Sequence, residues 1–284
     1  MLSRSEGVAA GRRKEAGILT NPGYTNRQMQ RLYRSHFDLR DDPRFLLDAS
    51  PWMMYRPDVL VVAAELRWDG QVRSLLSLRE PVSRIVSMYK DQVVRGRERR
   101  PLADALRTEL GALAGSIEGQ PSPVRSTSYL AASLYGRYLE ALVVPADLQD
   151  PPRIVFYEDL VNPDHRAATL DWLGSSLGLR LADFGHWNAS GAGASRLMPA
   201  MDRLGRMASV LPTAVKVRVR PAALRASSIG SRLLVAPRQV HEMDVTLDVD
   251  VLEQVGDVLA TDRQLLLANL AKFQVRRAPL PHWL

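Results

Sequence analysis

An arginine set between an apolar run and a proline, with a serine two turns further on, is a pattern that can hold an anion. Residues 72–90, Val-Arg-Ser-Leu-Leu-Ser-Leu-Arg-Glu-Pro-Val-Ser-Arg-Ile-Val-Ser-Met-Tyr-Lys, carry it. Val72, Leu75, Leu76 and Leu78 read as a buried strand that ends at Arg79, and Pro81 fits the first turn of a helix, where its missing N–H is not needed. Val82, Ile85, Val86, Tyr89 and Val93 then recur at helical spacing and predict one face packed on a sheet. Arg79 therefore falls at the carboxyl end of a strand beside a helix N-terminus, where backbone N–H groups and the helix dipole favour a phosphate. Its guanidinium can donate to two oxygens, and Ser87 can donate a third bond. The same residues also fit a plainer arrangement, with Arg79 paired to Glu80 or another acid and Ser87 hydrated.

The rest of the chain must supply the sheet and helices that position this turn. At 284 residues it can bury a substantial core, and a single α/β domain over 1–284 is the expectation. Thirty-eight Lys and Arg against 31 Asp and Glu give a net charge of +7, which suits a polyanionic nucleotide, an acidic acceptor or nucleic acid. Zero cysteines exclude disulfides, thiolate metal sites and cysteine nucleophiles, and lean toward a cytoplasmic location, with the Golgi lumen the alternative if an N-terminal anchor is missing. The five histidines never fall at ligand spacing, so no metal is expected. No run approaches the roughly 20 apolar residues of a membrane span.

In chain order, Thr25-x-x-Gln28 predicts a capping box opening a helix whose Met29, Leu32, Tyr33, His36 and Phe37 share a face. Phe45 to Trp52 reads as a short strand broken by a proline, and 57–68 as a helix. Arg95, Arg97, Arg99 and Arg100 cluster after the central helix, either as a solvated face or as a steering patch for an anionic acceptor. Residues 111–128 read as a Gly/Ser/Pro-rich loop over the site, and Tyr129–Val143 as a helix. A strand over 153–160 ending in acids, a helix over 164–179 with Leu170, Leu173 and Leu177 on one face, and a C-terminal pair of helices complete the outline. The second of that pair is predicted to open at a capping box, Thr261-x-x-Gln264.

Leu78-Arg79-Glu80-Pro81-Val82-x-Arg84-x-x-Ser87-x-Tyr89 resembles the 3′-phosphate-binding motif of sulfotransferases that use 3′-phosphoadenosine 5′-phosphosulfate (PAPS). The resemblance implies that Arg79 and Ser87 hold the 3′-phosphate of the nucleotide. Lys14-Glu15 resembles a Lys-Glu pair of the carbohydrate-type and bacterial members, which makes Glu15 the candidate base for an acceptor hydroxyl. The aromatic residues that usually follow are replaced here by Ala16-Gly17-Ile18-Leu19. Ala49-Ser50-Pro51 and the aromatics Trp52 and Tyr55 resemble a segment near the acceptor pocket. Ser133-Leu134-Tyr135-Gly136, Tyr157-Glu158-Asp159-Leu160 and the 164–179 helix resemble scaffold segments, and Trp283 resembles a tryptophan near the family's end. Trp187, Asn188 and Arg196 fall where relatives place nucleotide contacts, without a motif tight enough to assign.

The implied fold is a P-loop-kinase-like three-layer α/β fold around a parallel sheet. The implied reaction moves the sulfuryl group of PAPS, without a metal, to a hydroxyl or amine of a carbohydrate-like acceptor, with nucleic acid not a partner. The family's K-x-G-T-T loop for the 5′-phosphosulfate does not occur in these 284 residues. Gly11 to Gly17 is the nearest string, but it lacks threonines and shows no strand ahead of it. The expectation is thus an N-terminally incomplete chain whose first strand and phosphate loop lie upstream of Met1, inactive and poorly stable as given. The alternative is a non-catalytic, nucleotide- or anion-binding relative that has lost sulfuryl transfer.

Overall fold

The computed structural model describes residues 6–12, 17–19, 24–39, 42–55, 73–114, 127–143, 151–181, 245, 247–276 and 280–284. They fall into two compact units, Met1–Val72 with Arg166–Gln239, and Arg73–His165 with Val240–Leu284.

In the first unit, β1 (Val8–Ala10) and α1 (Asn26–His36) precede β2 (Phe45–Leu47), which pairs in parallel with β1, Val8 opposite Phe45. The capping box forms as the sequence predicts: Gln28 N–H donates to the Thr25 hydroxyl at 3.3 Å, and Thr25 N–H donates to Gln28 Oε1 at 2.8 Å. Met29, Leu32, Tyr33 and Phe37 then pack with Ile18, Leu19 and Tyr24 into one buried cluster. The Tyr33 hydroxyl donates to Asp48 Oδ2 at 2.5 Å, and Ser50 donates to the other oxygen at 2.7 Å, which fixes the chain ahead of a 3₁₀ turn at Pro51–Tyr55. Burial and the Asp48 charge push the Tyr33 phenol far up. Contrary to expectation, a strand does stand ahead of Gly11: β1 is short and built on Val-Ala-Ala, with no alternation to betray it. Gly11 lets the ring of His36 pass, since a Cβ there would overlap it.

The second unit opens with β3 (Leu75–Leu78), α2 (Pro81–Val94), α3 (Leu102–Ala114), a 3₁₀ turn at Ala131–Ser133, and α4 (Tyr135–Val143). There follow β4 (Arg153–Phe156), the short α5 (Tyr157–Val161) and α6 (Pro163–Leu177), whose buried Leu170, Leu173 and Leu177 belong to the first unit. Gly178, at φ 64°, ends α6. The long α7 (Val249–Leu270) and β5 (Gln274–Val275) close the second unit. Its sheet is parallel, in the order β3-β4-β5, with Leu75 opposite Arg153 and Leu78 opposite Phe156. β4 is buried along its whole length, as the middle strand of a covered parallel sheet must be.

Several expectations change here. The strand expected over 153–160 stops at Phe156, and Tyr157–Val161 coils into α5, with Glu158 and Asp159 in its first turn, where the helix dipole favours acids. Val82 is 38% exposed and Ile85 carries the buried face of α2 together with Gln92. The C-terminal helix pair is one helix: Thr261 lies inside α7 and its hydroxyl donates back to the Asp257 carbonyl at 3.1 Å instead of capping. α3 has no counterpart among the expected elements, and it carries helix through Ala114 into the stretch that reads as a loop. Residues 57–68 and 115–126 lie outside the described residues. Among the described residues no helix is long and apolar enough to cross a membrane.

Candidate functional site

The register of β3 on β4 brings the two strand ends level, so Arg79 and Tyr157 follow side by side at the carboxyl edge of the sheet. The Arg79 guanidinium lies over the Tyr157 ring, 5.0 Å from its centroid, and Tyr157 is 40% exposed. A cation over an exposed ring is favoured by about 0.5–1 kcal/mol and holds its plane without consuming its N–H donors. Among the described residues no acid pairs with Arg79. The plainer arrangement, Arg79 on Glu80, is not the one adopted.

Glu80 does something else. Its carboxylate accepts the N–H groups of Val82 at 2.9 Å and Ser83 at 2.5 Å, capping α2, while its own N–H donates to Glu158 Oε1 at 2.8 Å. The expected free amides at this helix start are therefore occupied by the chain's own carboxylate, with Pro81 supplying no N–H. An anion here must be held by side chains. Ser87, one further turn along α2, is exposed, and among the described residues its hydroxyl has no hydrogen bond. Arg84 of the same motif is engaged elsewhere. Its Nη1 donates to the Ser133 hydroxyl at 3.1 Å, and Ser133 in turn donates to the Tyr129 carbonyl at 2.9 Å. That ties α2 to the 3₁₀ turn.

The arginine cluster sits at the other end of α2, about 20 Å from Arg79 at about 1.5 Å per residue. Arg95 pairs with Asp91 at 2.7 Å and Arg100 with Glu98 at 2.8 Å. Glu98 is buried and also accepts the Tyr129 hydroxyl at 3.2 Å. The Arg100 side chain, followed by the N–H groups of Arg100 and Arg99, outweighs burial and holds the Glu98 carboxyl down at about 2. Nearby, Glu109 accepts three successive N–H groups, from Tyr129 at 2.6 Å, Leu130 at 3.0 Å and Ala131 at 3.1 Å. Burial still pushes its carboxyl up. Two of the four arginines, Arg95 and Arg100, are thus paired with acids, while Arg99 is exposed.

Tyr135, which reads from the sequence as scaffold, turns out to touch the site. Its hydroxyl donates to the Arg79 carbonyl at 2.9 Å and accepts the Arg79 N–H at 3.3 Å. Together with Glu80, Pro81, Asp262, Arg263 and Trp283 it also lines a cleft of about 210 Å³. That is below the roughly 300–1,000 Å³ typical of small-molecule sites. Glu15, Trp187, Asn188 and Arg196 lie outside the described residues, as does the side chain of Trp52; Tyr55 is half-buried in its 3₁₀ turn. Among the described residues no cluster of His, Cys, Asp or Glu is arranged to hold a metal ion.

No protein-family model matches the chain, and no curated protein matches it in sequence. Its structure is similar to the crystal structure of a sulfotransferase from Alicyclobacillus acidocaldarius, with a TM-score of 0.51 and 18% identity, over 95% of this chain and 88% of that one. The chain thus has the mixed helix and parallel-sheet α/β fold of a sulfotransferase.

Proposed function

We propose that the chain is a PAPS-dependent sulfotransferase in which Arg79 and Ser87 hold the 3′-phosphate of the nucleotide. The observation that carries this reading is the placement of Arg79: at the carboxyl edge of the parallel sheet, level with Tyr157, its fork is not spent on an acid among the described residues. A phosphate fits that fork bidentately, and the unengaged hydroxyl of Ser87, two turns along, supplies a further donor. PAPS, when bound, supplies the sulfuryl group to be moved. The chain itself grips the nucleotide through Arg79 and Ser87 and takes the proton of the acceptor hydroxyl on Glu15. The acceptor is carbohydrate-like, and no metal takes part.

Transfer of radiolabelled sulfate from PAPS to a panel of sugar hydroxyls and amines tests the reading. In a chain supplied with the K-x-G-T-T loop turnover is expected, with Glu15→Gln lowering it by about 10²–10⁴ at little-changed nucleotide affinity. Near-normal turnover in that variant places the base elsewhere. Nucleotide binding without any transfer identifies a relative that has lost the chemistry.

A further inference from the structure

The guanidinium of Arg79 is aimed by its backbone, and that backbone has lost its strand partner. The β3–β4 ladder ends at Leu78 opposite Phe156, after which β4 coils away into α5. At the next residue the Tyr135 hydroxyl takes over, bonding both the N–H and the carbonyl of Arg79. Tyr135 is 1% exposed and fixed from several sides. The carboxylate of Asp262, on α7, accepts the N–H groups of Gly136 at 2.7 Å and Arg137 at 3.0 Å, which pins the first turn of α4. Trp283 lies 6.5 Å from the Tyr135 ring, centroid to centroid, and packs edge-on against Phe156 at 5.7 Å. The Arg84 guanidinium sits 5.9 Å over the same ring. A chain of rigid contacts therefore runs from α7 and the C-terminal residues through Tyr135 to the peptide that carries Arg79.

We infer that Tyr135 is a positioning residue for Arg79 and sets the protein's preference for nucleotides that carry a 3′-phosphate. The inference rests on the assignment of the 3′-phosphate to Arg79 made above. A long side chain multiplies any rotation of its own backbone, and bidentate grip tolerates only about 10–20° of misalignment. Removing the hydroxyl frees both Arg79 backbone groups at once, so the fork loses its aim while its charge stays.

The test is calorimetric titration of wild type, Arg79→Ala and Tyr135→Phe with adenosine 3′,5′-bisphosphate and with adenosine 5′-monophosphate. The readout is the ratio of the two affinities, which a general loss of stability does not move. Wild type is expected to prefer the bisphosphate and Arg79→Ala to lose the preference. Tyr135→Phe is expected to lower it by up to about tenfold while monophosphate affinity holds. A preference equal to wild type in folded Tyr135→Phe overturns the inference and leaves the Arg79 assignment standing. A wild type that binds both nucleotides alike, or an Arg79→Ala that keeps the preference, overturns the assignment itself and the inference with it. If Tyr135→Phe does not fold, Trp283→Phe, which loosens the Tyr135 ring but keeps the hydroxyl, carries the same readout: a reduced ratio supports the inference and an unchanged one overturns it.

Discussion

Gly136→Ala sets two physical expectations against each other. Helix propensity alone predicts a gain of at most about 1 kcal/mol, the helix-interior difference between Gly and Ala, since Gly136 lies in the first turn of α4. Position predicts a loss. A Cβ on Gly136 would lie 2.7 Å from both Leu265 Cβ and Leu266 N, and closer still to the carbonyl oxygen of Asp262. Two of these three atoms are backbone of α7, so no rotamer change relieves the clash and the helices must part. Overpacking of this kind costs about 1–3 kcal/mol. Parting also stretches the two N–H bonds from Gly136 and Arg137 to Asp262, worth about 1.5–3 kcal/mol each when the acceptor is charged. Burial pushes the Asp262 carboxyl up and those two N–H groups pull it down, so stretching them also weakens its hold on its charge. Allowing for the propensity gain and partial retention of the bonds, we expect a net loss of about 2–4 kcal/mol. Urea unfolding followed by far-UV circular dichroism reads it as a lower midpoint at unchanged slope. A variant as stable as wild type or more so would refute the close approach of α4 and α7 at this residue.

Two further outcomes follow from the same geometry. Glu98→Gln should destabilise the protein by about 2 kcal/mol at neutral pH, discounted because its Arg100 partner is 46% exposed. The folded value of about 2 lies below the ordinary 4.5, so the ionised contacts stabilise fully above pH 4.5 and fade as the pH falls toward 2. The gap between wild type and variant, measured by urea unfolding across that range, should close accordingly, and a gap independent of pH would contradict it. Ser87→Ala should leave stability within about 0.5 kcal/mol, because the residue is exposed, yet weaken adenosine 3′,5′-bisphosphate by about 0.5–1.5 kcal/mol in a calorimetric titration. Unchanged affinity would remove Ser87 from the site.

What was legible in the sequence is what local chemistry dictates. The Thr25 and Gln28 capping box is reciprocal over three residues, and it forms; the apolar run to Leu78 and the proline after it give a strand that turns into a helix with Arg79 between them. Where tertiary contacts decide, the sequence misleads or is silent. Thr261 and Gln264 have capping-box spacing, yet the helix runs through them because Val251, Val255 and Leu266 bury one continuous stripe. Val8-Ala9-Ala10 is too short and too weakly apolar to read as a strand, and pairing with Phe45–Leu47 makes it one. Glu80 looks like a partner for Arg79 and is instead the cap of α2. The hold of Tyr135 on the Arg79 backbone spans 56 residues and uses a side-chain hydroxyl, so no periodicity could announce it. In the sequence Tyr135 reads as part of a helix over 129–143 and of a scaffold segment, whereas the helix starts at Tyr135 itself after a 3₁₀ turn, and neither reading announces its partner.

The central claim is that Arg79 grips a phosphate, and the most direct measurement is the affinity of Arg79→Ala for adenosine 3′,5′-bisphosphate against that of the wild type. A charge-assisted bond of this kind is worth about 1.5–3 kcal/mol, so affinity should fall by about ten- to a hundredfold, with the melting transition little changed because the guanidinium pairs with no acid among the described residues. Equal affinities in the two proteins would contradict the claim.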